Sequence, residues 1–217
     1  MADNKDNQIV ESIKIGSLGN SEVGKTYLTR KYTNSNNLDL NLITVGIDFY
    51  TREKIFCNGK KYIIKIYDTA GQERYKYVSL NSIRNYDGVF LMYDITDFKS
   101  FDSISEWINN IYEIKDHNFP FILIGNKCDL EDQREVSKEE GLETAEKYKT
   151  SYFETSAIEG INVEEAIDEL VNKIIKIKEE EEISKDEKKE INEQKDNNIK
   201  LDKSESINKK KSKCCGK

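Results

Sequence analysis

Eight residues, Gly19-Asn20-Ser21-Glu22-Val23-Gly24-Lys25-Thr26, constrain this chain more than any other stretch. They fit the pattern G-x-x-x-x-G-K-[ST], follow a strand candidate over 9–15 and open a helical pattern, which is the setting that pattern requires. Its glycines let backbone N–H groups turn inward around phosphate oxygens, at the positive end of a helix dipole. Lys25 would bridge the β- and γ-phosphates as a point charge, and Thr26 would offer its hydroxyl to Mg2+. A plain strand-to-helix loop is the rival reading, and nothing in these residues selects a base.

The rest of the chain supplies a suitable frame. Apolar runs at 89–93 and 121–124 have no polar face, as central parallel strands covered on both sides do. Runs at 47–57 and 61–67 flank Asn58-Gly59, which predicts a hairpin with positive φ at both turn positions. A shorter run at 151–154 would be the last strand. Phe101, Ile104, Trp107, Ile108 and Ile111 predict one amphipathic helix, and Val163, Ala166, Ile167, Leu170, Val171 and Ile174 another. Ser137 with Glu140, and Asn162 with Glu165, are spaced as capping pairs. Strands alternating with helices imply a mostly parallel sheet with helices on both faces and one antiparallel strand from the hairpin.

Charge divides the chain. Beyond 177 there are twelve lysines and eleven acids with few large apolar residues, leaving −8 on residues 1–177 out of a net −7. Such a tail cannot bury enough surface to offset its ordering entropy, so most of 183–213 is expected to be a disordered tether. The acidic body argues against nucleic acid as a partner. No stretch has the roughly 20 apolar residues of a membrane helix, and the first residues lack the apolar core of a secretory signal. Four cysteines, two of them adjacent at 214 and 215, make no disulfide framework.

Two further motifs carry chemistry. Asn126-Lys127-Cys128-Asp129 lies beyond the C-terminal end of the 121–124 run, where doubly wound sheets bind ligands. Guanine presents an amino and an imino N–H side by side, and the Asp129 carboxylate can accept both; adenine offers no such pair. Asp68-Thr69-Ala70-Gly71-Gln72-Glu73 ends the hairpin's second strand. Asp68 can reach Mg2+ through water, a Gly71 N–H can approach the γ-phosphate, and the Gln72 amide can orient an attacking water.

These three motifs in this order resemble those of Ras-superfamily small GTPases, over about 9–177. Within that superfamily Thr44-Val45-Gly46-Ile47-Asp48-Phe49 and 67–75 resemble the Rab switch I and switch II segments. The resemblance implies a P-loop NTPase three-layer α/β fold with a mostly parallel six-stranded sheet. It makes Thr44 the switch threonine, with its hydroxyl on Mg2+ and its N–H on the γ-phosphate. Glu154-Thr155-Ser156-Ala157 resembles the last guanine motif, with the Ala157 N–H near the guanine oxygen, and Lys127 would lay its stem along the base. Lys25 and Gln72 are the candidate catalytic residues; without an arginine finger in cis, turnover would be slow and depend on a partner. Departures are local. Glu22 puts an acid on the phosphate loop and so must point outward, Ile158 stands where the family has lysine, and Tyr67 and Ser82 change the aromatic trio with Phe49 that shapes a Rab effector surface.

By the same resemblance the domain plan is a flexible N-terminus at 1–8, a GTPase domain at 9–177, and a hypervariable tail at 178–217. Cys214 and Cys215 resemble the Rab double-geranylgeranyl signal. A C-a-a-X reading fits Gly216-Lys217 poorly. Two lipids anchor stably where one is marginal, and the lysines at 209–211 and 213 would add attraction to an anionic leaflet. The implied protein is a monomeric GTP/GDP switch of vesicular traffic on the cytoplasmic face of an intracellular membrane, cycling with the cytosol. Its expected partners are an exchange factor, a GTPase-activating protein, a GDP-dissociation inhibitor or escort, and effectors. Two rivals stand beside it: a P-loop ATPase or nucleotide kinase, which Asp129 opposes, and a nucleotide-holding scaffold with little turnover, which Thr44 and Gln72 oppose.

Overall fold

A computed structural model of the chain describes residues 11–34, 47–69 and 81–184. Two units divide the chain, Met1–Ile174 and Ile175–Lys217. In the first, six strands form one sheet: β1 (Glu11–Leu18), β2 (Ile47–Ile55), β3 (Lys61–Thr69), β4 (Gly88–Asp94), β5 (Phe121–Asn126) and β6 (Ser151–Thr155). Their order is β2-β3-β1-β4-β5-β6. All pairings are parallel except β2 with β3. The helices are α1 (Lys25–Thr33), α2 (Phe98–Asp102), α3 (Ile104–Ile114), α4 (Lys138–Lys147) and α5, which begins at 163. Residues 175–184, the described part of the second unit, are helical. The predicted six-stranded, mostly parallel α/β architecture is the observed one.

Burial follows from the apolar pattern. Every residue of β4 and β5 is buried. Val89, Leu91 and Tyr93 join Leu123, Trp107, Ile108, Ile111 and Ala145 in a core shared with α3 and α4. Strand alternation sends Phe90 and Met92, fully buried, to the opposite face. There α1 lies against β2 and β3, and Ile174 of α5 packs over Gly88. The stripe predicted for α5 is buried at all six positions.

Three local expectations are corrected. Asn58-Gly59 does turn the hairpin, but only Gly59 has positive φ. Gly59 N donates to Phe56 O at 2.9 Å and Phe56 N to Lys60 O at 3.1 Å, a longer turn closed by a left-handed glycine. The Asn58 side chain favours this turn, accepting from Lys60 N at 3.1 Å and donating to the Tyr62 hydroxyl at 2.9 Å. The helix expected through Phe101 and Ile111 is interrupted at Ser103, whose hydroxyl donates back to Lys99 O at 2.9 Å. Ser137 and Glu140 form the expected capping box, whereas Asn162 takes φ 53° and donates its side-chain amide to Glu154 O at 2.8 Å. Backbone strain there is exchanged for a tie to β6.

Where β1 meets β4, the backbone exchanges two bonds with Asp87: Lys14 N donates to its carboxylate and Asp87 N to Lys14 O, each at 2.7 Å. This turn sets the buried ring of Tyr86 against Gly16, where an added Cβ would lie 2.3 Å from two ring carbons. Tyr86 is also packed against Tyr67, with ring centroids 5.2 Å apart, so the ring has little room to yield. Gly16→Ala should therefore destabilise the protein by about 1–3 kcal/mol, the usual cost of overpacking a core. Chemical denaturation of the GDP-loaded protein checks this.

Candidate functional site

β1 delivers the phosphate loop to the C-terminal edge of the sheet. Two glycines are required by close approach as well as by φ. A Cβ on Gly19 (φ 131°) would lie 2.1 Å from Met92 O, and one on Gly24 (φ 104°) 2.2 Å from the Asn126 amide nitrogen. Glu22 also has positive φ, 66°, and is exposed, as is Ser21. Glu22 thus keeps its charge in solvent. Val23 is buried beneath the loop.

Lys25 is buried at the start of α1, and its ammonium donates to Gly19 O at 3.0 Å and to Asn20 O. Burial pushes its pKa down to about 8, against the pull of nearby Asp68. Asp68, wholly buried at the end of β3, accepts from the Thr26 hydroxyl at 2.6 Å and from Ser17 at 3.2 Å. The side chain of Asn20 faces away from this cluster: it accepts from Trp107 Nε1 and donates to Ser103 Oγ, each at 3.0 Å. The Asn20 side chain therefore straps the loop to the start of α3.

The base side is organised by Asn126, a buried residue at the end of β5. Its amide nitrogen donates to Val23 O at 2.8 Å. Its oxygen accepts from Thr155 Oγ1 at 3.0 Å and Ala157 N at 3.3 Å. Ser156, also buried, closes the following turn: its hydroxyl accepts from Glu159 N, its carbonyl from Gly160 N at 2.7 Å. Lys127, at φ 67°, pairs with the Asp94 carboxylate at the end of β4. Asp129 lies two residues further on, partly exposed. Below these loops Arg134 binds both Glu131 and Glu154, which holds its guanidinium well above its ordinary pKa and joins the two base-side segments.

The structure thus gathers Gly19 to Thr26, Asp68, Asn126, Lys127, Ser156 and Ala157 at one sheet edge, with Asp129 just beyond. Thr44, Gly71, Gln72, Cys214 and Cys215 lie outside the described residues. Sequence reasoning did not single out Ser17, Asp94, Ser103 or Arg134, and marked Trp107 only as part of a helix stripe. Ser17 had a signal, a hydroxyl interrupting an apolar strand; the partners of Asn20 are more than 80 residues away and had none.

Comparison with known proteins matches this geometry. The family model described as Ras family covers residues 14–176. The chain is 40% identical to the GTP-binding protein ypt2 of Schizosaccharomyces pombe over 166 residues, 76% of this chain and 82% of the relative. It is 42% identical to the Ras-related protein Rab-8B of Homo sapiens over 158 residues, 73% and 76% of the two chains. For Rab-3C of Bos taurus the figures are 39% over 172 residues, 79% and 75%. The chain belongs to the Ras family. Within it the chain is of the Rab type, a small GTPase that hydrolyses GTP and acts as a GTP/GDP switch in vesicular traffic.

The buried Lys25 sets a pH dependence. Its folded pKa of about 8 lies below the ordinary 10.5, so between those values the unfolded chain binds more protons and the nucleotide-free fold gains stability as pH rises. Phosphate binding needs the charged form and opposes this. GDP affinity in the presence of Mg2+ should therefore fall as pH rises through about 8, whereas Lys25→Met should bind weakly and show no such step. Titration calorimetry between pH 7 and 9 checks both.

Proposed function

We propose that this site holds GTP and GDP with Mg2+ and that water attack on the γ-phosphate, followed by release of the switch segments, turns the protein off. The observation that carries the reading is the bond from Asn126 to Val23 O, because it joins the loop suited to phosphates to the loop suited to guanine. In this reading Lys25 bridges the β- and γ-phosphates, and backbone N–H groups of 19–26 surround them. Asp129 accepts both guanine N–H groups, the Ala157 N–H meets the guanine oxygen, and the stem of Lys127 packs along the base. Gln72 orients the water, while Thr44 and Gly71 are held by the γ-phosphate and released after hydrolysis.

Mg2+ suits the donors present. The Thr26 hydroxyl and the Asp68 carboxylate converge within 2.6 Å beside Lys25, an all-oxygen pair of the kind that ion takes together with phosphates and water. Thr26 and Thr44 would hold it directly and Asp68 through water. When bound it would neutralise charge developing on the β- and γ-oxygens.

Beyond the nucleotide, Phe49 on β2 is 66% exposed with Tyr67 beside it, which supports an effector surface reaching the switch segments. No helix among the described residues is long and apolar enough to cross a membrane. Prenyl groups on Cys214 and Cys215, with neighbouring lysines, would supply the anchor to the cytoplasmic leaflet, and an escort or dissociation inhibitor the route back to the cytosol. An exchange factor and a GTPase-activating protein would set the timing.

Asp129→Asn tests base choice. It should weaken GTP binding and shift preference toward xanthine nucleotide, because an amide cannot accept from both guanine N–H groups; unchanged guanine affinity in a competition titration would remove the assignment. For the anchor, replacing Cys214 and Cys215 by Ser should move the protein from membranes to cytosol with GTP binding intact. Mass spectrometry of the native protein should find two prenyl groups, and an unmodified terminus in the membrane fraction would refute the anchor.

A further inference from the structure

We infer that Ser17 is a positioning residue for the Asp68 carboxylate and so sets how firmly the divalent cation is retained with the nucleotide. The inference rests on assigning Thr26 and Asp68 to that cation. Strand alternation places Ser17 on the same face of β1 as Ile13 and Ile15, and all three are fully buried. A hydroxyl in line with two core isoleucines is costly unless it is hydrogen-bonded. The parallel register pairs Gly16 with Tyr67, which brings Ser17 alongside Asp68 and within 3.2 Å of its Oδ1.

The two carboxylate oxygens are thus held by hydroxyls from different elements: Oδ1 by Ser17 on the rigid strand, Oδ2 by Thr26 on α1. Thr26 is the residue that turns its oxygen toward a cation. Ser17 is fully buried in the sheet, so its hydroxyl is carried by a strand and not by the helix that bears Thr26. Its bond keeps the carboxylate from rotating when Thr26 changes partner, so that Oδ2 stays aimed at the water on the metal. A carboxylate free to rotate would spend less of its time in the orientation that accepts that water.

The test follows release of fluorescently labelled GDP from the full-length protein across a series of free Mg2+ concentrations. Ser17→Ala should raise the Mg2+ concentration needed for half-maximal retention about three- to tenfold, the effect of losing one ordinary hydrogen bond. Release in excess chelator should stay within about twofold of wild type, since the bond acts through the cation. Ser17→Thr, which keeps the hydroxyl, should restore the wild-type curve. If Ser17→Ala does not fold, Ser17→Cys, similar in volume and a weaker donor, is read in its place. Equal acceleration with and without Mg2+ would make Ser17 merely structural and overturn the proposal, as would an unshifted curve. A wild-type curve that does not respond to Mg2+ would overturn the cation assignment and this proposal together.

Discussion

The site depends on one buried amide. Asn126 stands where β5 ends, and its side chain spends its hydrogen-bonding capacity on three partners: Val23 in the phosphate loop, Thr155 at the end of β6 and Ala157 in the loop that follows. A buried amide with these partners is stable only in one arrangement, because losing any of them leaves a polar atom desolvated. Gly24 must be glycine for the same reason, since any side chain there would displace the amide. The loop suited to phosphates and the loops suited to the base are therefore mechanically one unit.

Around that unit the charges are arranged at some energetic cost. Lys25 is buried against the backbone carbonyls of Gly19 and Asn20, and that burial lowers its pKa despite nearby Asp68. Asp68 is buried and accepts from the hydroxyls of Ser17 and Thr26. Burial of an ammonium and a carboxylate is costly unless both are paired, and in the proposed reading phosphates and a cation would offset that cost. A nucleotide that binds only the folded state would add to its stability by mass action.

Much of this was legible in the sequence because the relevant signals are local. The runs 89–93 and 121–124 are apolar on both faces, and such strands can only be central. The α5 stripe needed only helical spacing. The phosphate loop and the base motif are contiguous strings whose chemistry is fixed by side-chain type. What was not legible depends on partners far away in sequence or on competition between near-equal local states. Asn58-Gly59 marked the hairpin but not its turn, because Asn58 could satisfy its side chain on Tyr62 and Lys60 instead of adopting positive φ itself. Asn162 has the spacing of a capping residue yet donates to Glu154. Ser103 breaks a helix because its hydroxyl has bonds to both Lys99 and Asn20, and no local signal marked Ser103 and Trp107 as the partners of the Asn20 side chain.

The central claim, that the two loops form one guanine-nucleotide site, is tested most directly by what the purified protein carries. Protein prepared in Mg2+-containing buffer without added nucleotide, then denatured and its supernatant separated by ion-exchange chromatography, should release close to one guanine nucleotide per chain. Release of adenine nucleotide, or of none, would contradict the account.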